Sequence, residues 1–345
     1  MTQSSDRISI AIDAMGGDFA PGIVVEGALE ALNESDSRFA VALIGPQDRI
    51  EEELRSQATR GLRIPKEHLT LFHAPDVISM EDAPNAALRT KKRSSIGVGL
   101  TIQKEGTAQA FVSAGNTGAV MSASTLILGR VEGVSRPTIG AVIPTVKKPS
   151  FLLDAGANVD CKPRHLFEFA VMGSVYMSTL FGLHNPRVGL LNIGEEATKG
   201  NAVALETFAM LQRSRLNFVG NVEGRDLLKG NVDVIVCDGF VGNILLKFGE
   251  SVPAFLKEKF LAFAARSLGN KLVASIARGG LRSVLKEFDY QEHGGVPLLG
   301  VNGVSIIGHG GSTAKAIKNM IFRAEEMIRK DVNALIKEEL RRYHE

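Results

Sequence analysis

Cysteine is scarce in this chain of 345 residues, and neither sign of charge is in excess. The two cysteines, Cys161 and Cys237, form no CxxC pair and no Cys/His ligand spacing. This disfavours both a disulfide framework and a zinc module, and we expect a reducing cytoplasm. Lys and Arg number 40 against 38 Asp and Glu, and such a balance gives no indication of nucleic-acid binding.

The sequence also lacks a targeting or membrane-spanning pattern. Asp6, Arg7 and Asp13 interrupt the first 18 residues, where a signal peptide needs an unbroken apolar run, so secretion is disfavoured. Residues 107 to 129 carry no charge, but glycines and polar side chains break their hydrophobicity. We predict a strand, a loop and a helix there instead of a bilayer span.

Three familiar motifs are missing as well. No GxxxxGK[ST] occurs, no GxGxxG follows the first predicted strand, and no GxSxG occurs. These absences disfavour a P-loop nucleotide triphosphatase, an ordinary NAD-binding domain and a serine hydrolase. No convergent spacing of His, Asp and Glu indicates a metal site, so we expect neither a metal nor a cofactor.

The sequence does contain a repeated alternation of strand and helix patterns. In RISIAID the isoleucines have strand spacing, and Pro21 can begin a helix after the glycine turn that follows. The same order returns after FAVALIG, AQAFVS, FLLDAG, RVGLLNIG, VDVIVCDG and VSIIGHG. It predicts an α/β/α fold with a mostly parallel sheet, because parallel strands need crossover connections. We predict one catalytic unit over residues 1 to 345, with two lobes around a cleft as an alternative.

Loops rich in glycine and small polar residues follow most of these strands. They span residues 13 to 18, 113 to 119, 153 to 160, 192 to 201, 237 to 243 and 308 to 312. In an open parallel sheet such loops share the carboxyl edge, where ligands bind. Backbone N–H groups at the start of the following helix favour an anion, so the loops indicate a site for phosphate or another oxyanion. Ordinary turn chemistry is the alternative for any single loop.

Two of the loops differ in their suitability for an anion. Residues 113 to 119, SAGNTGA, place small polar and glycine residues directly at a helix start and are the strongest candidate. Residues 13 to 18, DAMGGD, are weaker because Asp13 and Asp18 would repel a bare phosphate. These carboxylates would instead brace the loop or approach a metal.

Taken together, the segments resemble one family closely, the PlsX family of bacterial phosphate acyltransferases. The matching blocks are AIDAMGGDFAP, SAGNTGA, LLDAGANVDCKP, VGLLNIGEEATKGN, FVGNVEGRD, DGFVGNILLK and GVPLLGVNG followed by HGGSTAKAI, in the family's order. Ordered blocks that extend from Ile8 to Ile328 are far more specific than a lone glycine motif.

The resemblance implies a reaction, a fold group and partners. The reaction is acyl transfer from acyl-acyl-carrier-protein to inorganic phosphate, which gives acyl phosphate for bacterial phospholipid synthesis. The fold group is that of the phosphotransacetylases and of the isocitrate and isopropylmalate dehydrogenases. The implied partners are acyl carrier protein, inorganic phosphate and a second copy in a homodimer, with peripheral contact to the inner face of the cell membrane and no nucleic acid.

For such a reaction, the protein must mainly position phosphate and stabilise an oxyanion. We assign phosphate and substrate binding to Ser113, Gly115, Asn116, Thr117, Gly16, Gly17, Gly310 and Ser312. Lys199 would neutralise phosphate, or is a solvated loop lysine. His309 would protonate the leaving thiolate or orient phosphate, or makes a structural hydrogen bond. Asp238 and Asn243 would orient these groups.

Residues 251 to 288 form a basic amphipathic segment. Seven basic and two acidic side chains give it a net charge of +5, and its apolar residues follow helical spacing. The simplest interpretation is core-facing helices with solvated charges. The alternative is contact with an acidic carrier or an anionic membrane through Lys257, Lys259, Phe255, Leu281 and Arg282. The pattern from Ile317 onward predicts one amphipathic terminal helix for packing or dimerisation.

Three other functions remain open at this stage. A short-chain phosphotransacetylase would use acyl-CoA, and a decarboxylating dehydrogenase would need a nicotinamide and a divalent metal. A non-catalytic scaffold would bind carrier or membrane through residues 251 to 288. A covalent route through Cys161 or Cys237 is disfavoured, because the sequence near them shows no clear activating His.

Overall fold

The computed structural model describes residues 7–36, 38–286 and 294–343. The strands are β1 Ser9–Asp13, β2 Ala40–Gly45, β3 Leu69–His73, β4 Ala110–Ser113, β5 Thr138–Ile143, β6 Ser150–Leu153, β7 Arg187–Leu191, β8 Asn217–Val222, β9 Val234–Val236, β10 Val296–Leu299 and β11 Val304–Ile307. The α-helices are α1 Gly22–Glu34, α2 Gln47–Thr59, α3 Pro84–Thr90, α4 Ser95–Lys104, α5 Thr117–Ile127, α6 Pro163–Phe181, α7 Ala202–Gln212, α8 Gly239–Ala264, α9 Leu268–Lys286, α10 Ala314–Arg329 and α11 Val332–Arg341.

The strands form one sheet in the order β3-β2-β1-β4-β11-β10-β5-β6-β9-β7-β8. The five strands from β3 to β11 in this order are parallel to one another, and so are the four strands from β6 to β8. Between them, β10 is antiparallel to β11 and β5, and β5 is antiparallel to β6. The two parallel halves therefore run in opposite directions.

Alternate strand residues face two different helical layers. On β1, Ile10 and Ile12 belong to the large hydrophobic cluster that includes α1, α6 and α10, whereas Ala11 belongs to the cluster that includes α4 and α5. The other half of the sheet follows the same period, since Phe151 and Leu153 face the large cluster and Leu152 faces away from it. Both faces are covered by helices, so the predicted three-layer α/β/α fold with a mostly parallel sheet is confirmed.

The C-terminal helical pattern is divided into two helices. The chain leaves α10 at Lys330, and Asp331 adopts a left-handed φ of +47° before α11 begins at Val332. Both helices bury their apolar faces, which include Ile317, Ile321 and Ile336. The prediction of one continuous terminal helix is therefore wrong, because a turn at residues 330 and 331 redirects the second helix while preserving its burial.

The basic amphipathic segment forms most of a hairpin of two helices, α8 and α9, which pack against each other. Only Gly239 and Gly242, both in the first turn of α8, are buried along its 26 residues. Phe255 is 57% exposed, and the aliphatic side chains of α9 are largely exposed as well. The interpretation as core-facing helices is therefore wrong. Glu287 and Phe288, at the end of the segment, lie outside the described residues. Of the helices in the described ranges, none is both long and apolar enough to cross a bilayer.

Candidate active site

Two buried side chains connect the loops that follow β1 and β4. Ser113 Oγ donates a 2.7 Å hydrogen bond to Asp13 Oδ2, and Gly115 N–H donates to Ser113 Oγ at 3.0 Å. Asp13 Oδ1 accepts the N–H of Met15 at 3.1 Å. Burial raises the pKa of the Asp13 carboxyl above its ordinary value, although hydrogen bonds from Ser95, Ser113 and Met15 oppose that effect. Asp13 thus braces its own loop and the SAGNTGA loop, as one of the two alternatives for this carboxylate predicted.

The loop after β11 packs against the loop after β1. Asp18 N–H donates to the Gly310 carbonyl at 2.8 Å, and Gly17 has a φ of +104° with its Cα facing that same carbonyl. A side chain at position 17 would be strained and would lie 3.0 Å from the Gly310 oxygen. The predicted residues Gly16, Gly17, Ser113, Gly115 and Gly310 are therefore brought together, and we call these three contacting loops the β1–β4–β11 loop cluster.

Asn116 is used by the fold. Its Oδ1 accepts the N–H of Ala119 at 3.0 Å and caps α5, while its Nδ2 donates to the carbonyls of Ser79, Met80 and Asp82. The side chains of Ser113 and Asn116 are therefore engaged in internal hydrogen bonds, and a direct bond from either to phosphate would have to replace one of them.

The N-terminus of α5 retains backbone donors next to Asn116. The Ala119 N–H goes to the Asn116 side chain, and the Val120 N–H goes to the Asn116 carbonyl at 3.0 Å. The first N–H groups of a helix have no intrahelical acceptor, so those of Thr117 and Gly118 are left for an anion. The Thr117 side chain is exposed. At the SAGNTGA loop, the groups available to phosphate thus include the Thr117 hydroxyl and the backbone amides of Thr117 and Gly118.

The position of His309 is compatible with a donor role. Its ring is exposed at the β1–β4–β11 loop cluster, and Nδ1 accepts the N–H of Gly311 at 3.1 Å. A neutral ring with an accepting Nδ1 carries its proton on Nε2. Ser312 is buried, and its N–H donates to the His309 carbonyl at 2.9 Å. The loop therefore fixes one tautomer of His309 by its backbone.

A second set of loops forms around Asp154, which follows β6. Its carboxylate accepts the N–H groups of Gly156, Ala157 and Asn158 at 2.7 to 3.0 Å and the Asn158 side chain at 2.7 Å. Burial raises the pKa of Asp154 above its ordinary value, against these hydrogen bonds. Asn243, on the first turns of α8, packs against Gly156. The sequence analysis did not name Asp154 or Asn158 as site residues. The signal for them was their place in LDAGANVD, where Asp154 follows a predicted strand as Asp13 does in DAMGGD.

Asp238 and Lys199 belong to this second set. Asp238 caps α8, because its Oδ1 accepts the Val241 N–H at 2.8 Å. Lys199 is exposed, and its aliphatic stem covers Gly194 in the loop after β7. Asp238 lines a cavity of about 600 Å³, as do Gly200 and Asn201, which directly follow Lys199. We call the loops after β6, β7 and β9 the β6–β7–β9 loop cluster.

The two loop clusters follow strands of opposite direction. The expectation that all six loops share one edge of the sheet is therefore wrong, because β10 and β5 reverse the strand direction between the halves. One hydrophobic cluster connects the two sets, since it contains Ala119 and Val120 of α5 together with Ala155 and Ala157 of the loop after β6. Lys199, Asp238 and Asn243 lie in one loop cluster, and the residues assigned to phosphate lie in the other.

Both cysteines line the cavity of the β6–β7–β9 loop cluster. Burial, with smaller contributions from Asp154 and Asp238, raises the pKa of the Cys161 thiol to about 12. Burial also raises the pKa of Cys237 well above its ordinary value. A thiol that stays protonated at neutral pH is a poor nucleophile. This agrees with the expectation that acyl transfer through a covalent intermediate on Cys161 or Cys237 is disfavoured. Within the described ranges, no group of three or more His, Cys, Asp or Glu side chains is arranged to hold a metal.

The fold places the protein in the structural class of the phosphotransacetylases. A solved phosphotransacetylase from Streptococcus pyogenes has a TM-score of 0.61 and 16% identity to this chain, covering 93% of it and 94% of that chain. The EutD phosphotransacetylase from Staphylococcus aureus has a TM-score of 0.59 and 15% identity, with coverages of 94% and 95%. At such identities the likeness concerns the fold alone.

The sequence defines the family within this class. The chain belongs to the family described as "Fatty acid synthesis protein", which matches residues 8–335. It is 50% identical to the "Phosphate acyltransferase" of Heliobacterium modesticaldum over 331 residues, which cover 96% of this chain and 97% of that protein. It is 48% identical to the protein of the same name from Desulforamulus reducens over 336 residues, with coverages of 96% and 97%. The resemblance to the PlsX family is confirmed, and the chain is an acyltransferase.

Proposed function

We propose that this acyltransferase moves a long-chain fatty acyl group from acyl-acyl-carrier-protein to inorganic phosphate and releases acyl phosphate. The observation that carries the proposal is the near-full-length match, at about half identity, to relatives named phosphate acyltransferase. The product would feed bacterial phospholipid synthesis, in the cytoplasm.

The chemistry requires little beyond correct placement. A phosphate oxygen attacks the thioester carbon, the carbon–sulfur bond breaks, and the departing thiolate takes a proton. Positioning can contribute effective molarities of about 10⁵ to 10⁸ M. The Thr117 and Gly118 amides at the N-terminus of α5 supply donors for phosphate, and Asp13 fixes the loops that carry them.

The remaining assigned residues take supporting roles in this proposal. His309 donates its Nε2 proton to the leaving thiolate, and its tautomer is set by the Gly311 N–H. Lys199 supplies positive charge from the rim of the β6–β7–β9 loop cluster. Asp238 and Asn243 hold the start of α8 against the loop after β6, so they position this rim.

We further propose a homodimer whose α8–α9 hairpin contacts an anionic membrane. The hairpin combines exposed basic side chains, among them Lys257, Lys259 and Arg282, with exposed apolar ones such as Phe255. Basic amphipathic helices bind anionic lipid surfaces through this combination. Lys259 also lies 5.4 Å from the centre of the Phe255 ring, so charge and apolar surface are adjacent.

The decisive experiment measures release of free carrier thiol from palmitoyl-acyl-carrier-protein with and without phosphate, while hydroxylamine traps acyl phosphate. We expect phosphate-dependent release and trapped product. Palmitoyl-CoA and acetyl-CoA serve as competing donors, and a faster rate with acetyl-CoA would favour a short-chain phosphotransacetylase. Absence of release from a folded protein that still binds carrier would overturn the proposal in favour of a scaffold.

A further inference from the structure

A cavity adjoining the β6–β7–β9 loop cluster has the wrong chemistry for phosphate. Its volume of about 600 Å³ is within the range of about 300 to 1,000 Å³ typical of small-molecule sites. Among the described residues, its lining contains two carboxylates, Asp160 and Asp238, and no Lys, Arg or His. An anionic ligand such as phosphate or a nucleotide would be repelled there.

The walls of the cavity are aliphatic. They include Leu166 of α6, Leu190 and Leu191 of β7, Val203 of α7, and Val241 and Leu245 of α8. The two cysteines extend this apolar surface, because a neutral thiol behaves as a small hydrophobic group. Four different elements thus contribute to one apolar interior.

Three polar side chains on the lining, those of Asn192, Asn201 and Asp238, are already hydrogen-bonded within their own loops. Asn201 caps α7 by accepting the Ala204 N–H at 2.9 Å, and Asp238 caps α8. Asn192 Nδ2 donates to the Lys199 carbonyl at 3.0 Å, and its Oδ1 accepts the Ile193 N–H at 2.8 Å. These groups stabilise the cavity walls, so the interior favours an apolar ligand.

The cavity opening is apolar as well. Val159 and Ile193, both lining residues, are 63% and 83% exposed. Along α8, Val241 and Leu245 line the cavity, and Phe248 follows one turn later at i+3 from Leu245 with 69% exposure. These positions share one face of the helix, so an apolar surface continues from the cavity onto the α8–α9 hairpin.

We propose that this cavity binds the hydrocarbon end of the donor's fatty acyl chain. This inference rests on the proposed function and adds a location for the acyl chain, whose thioester end extends out of the cavity toward phosphate. A long saturated chain matches the aliphatic walls, the lack of cationic side chains and the apolar opening. The apolar face of α8 that runs from Leu245 to Phe248 provides the path of entry for the acyl chain.

The first test uses the unmodified chain, whose two cysteines both line the cavity. Methylmercury hydroxide, which reacts with a protonated thiol, labels Cys161 at pH 7, and mass spectrometry separates this product from that of Cys237. We expect the uncharged probe hexadecanol to slow labelling of Cys161 by at least about tenfold, octanol to slow it less, and inorganic phosphate to leave it unchanged. No protection by hexadecanol, or equal protection by phosphate, would overturn the proposal.

The second test narrows the cavity. The chain has no tryptophan, so Ile193→Trp places a single fluorescent reporter at the opening. In that background, Ala204→Phe fills the cavity from α7, and Ala202→Phe makes the same change at an exposed position of α7 outside the lining. Exclusion of two methylenes corresponds to about 1.6 kcal/mol, or about a 15-fold change in Kd. We therefore expect Ala204→Phe to raise the Kd of hexadecanol about 15-fold, with that of octanol changed less than about threefold.

The outcomes separate this inference from the proposed function. Binding of the alcohols requires neither carrier protein nor phosphate, so it can succeed when phosphate-dependent thiol release fails. Equal effects of Ala204→Phe on octanol and hexadecanol, or equal effects of Ala202→Phe and Ala204→Phe, would overturn the acyl site while leaving the reaction intact.

Discussion

Asp13 and Ser113 end two adjacent parallel strands and share a 2.7 Å hydrogen bond that is sealed from solvent, with 2% and 1% of their surfaces exposed. The pair connects the β1 loop to the α5 N-terminus, because Ser113 Oγ also accepts the Gly115 N–H. The active-site loops are therefore held by a buried carboxylate and a hydroxyl that need not touch substrate themselves.

Ser113→Ala should destabilise the protein by about 1 to 3 kcal/mol, because it removes one of the donors to the buried Asp13 carboxylate and leaves the Gly115 N–H without its acceptor. Urea unfolding measures the free energy of unfolding. The matched control is Ser124→Ala, which removes one partner of a neutral buried pair, Ser124 Oγ and Ser305 Oγ at 3.2 Å. A loss for Ser113→Ala no greater than for Ser124→Ala would contradict the proposed brace.

Asn116→Ala should cost more than an ordinary helix cap. Loss of an asparagine cap typically costs about 0.5 to 2 kcal/mol, and here three hydrogen bonds to the carbonyls of residues 79, 80 and 82 are lost as well. Asn201→Ala, which removes only the cap of α7, is the control for stability. Asn116→Asp should retain the cap yet repel those carbonyls. If the two alanine variants unfold at the same urea concentration, the contacts to residues 79 to 82 contribute little.

Much of the fold could be predicted from the local hydrophobic periodicity of the sequence, but the relative directions of the strands could not. Each parallel strand with its following helix has a recognisable period, so β1, β4, β6 and β11 were predictable. The hydrophobic pattern of a strand does not show whether the strand is parallel or antiparallel to its neighbours. For β5 and β10, where the strand direction within the sheet reverses, no sequence feature indicated the reversal. Because this reversal was not predicted, all six loops were expected at one edge of the sheet.

Other differences have similarly local causes. The apolar period of residues 251 to 288 indicates helices but not what covers them, so their exposure could not be read from the sequence. Asn116 and Ser113 were identified as important because small polar residues follow a strand. Their side chains serve caps and braces that depend on residues 34 to 100 positions away, and such partners become visible only in the folded chain.

His309→Gln should lower kcat by about 10²-fold or more if the imidazole donates the proton, and should flatten the dependence of kcat on pH between 6 and 8. Stability should remain close to that of the wild type because the ring is exposed. A merely structural ring would leave the shape of the pH profile unchanged. Thiol release measured across this pH range decides between the two roles, with thermal unfolding as the check on folding.

The Arg187–Asp233 pair should make stability depend on pH below about 4. Burial raises the pKa of Asp233, but hydrogen bonds from the Arg187 side chain and N–H outweigh it and hold the pKa below its ordinary value. An acid with a lowered folded pKa contributes stability that is present above the unfolded pKa and is lost as pH falls through the folded pKa.

Arg187→Met should therefore destabilise the protein at pH 7 by about 1 to 3 kcal/mol, a range that allows for solvent screening of the partly exposed guanidinium. The difference from wild type should shrink as pH falls from 4 to 3, because Asp233 becomes protonated. Urea unfolding at each pH measures it. A difference that stays constant from pH 7 to pH 3 would show that the pair's charge is not what stabilises the fold.

Phe255→Glu should weaken flotation of the protein with phosphatidylglycerol vesicles by about tenfold or more, since burial of a phenylalanine contributes about 1.5 to 3 kcal/mol. Val219→Glu, on the exposed edge strand β8, introduces the same charge away from the hairpin and should float like wild type. Leu281 is half-buried, so Leu281→Glu would also disturb the packing of α9, and Phe255 is the cleaner probe.

Reversal of Lys257, Lys259 and Arg282 to Glu should reduce flotation further and remove its salt dependence. Equal flotation of Phe255→Glu and wild type would assign the hairpin to another partner, and loss of acyl-carrier binding in the same variants would identify that partner as the carrier.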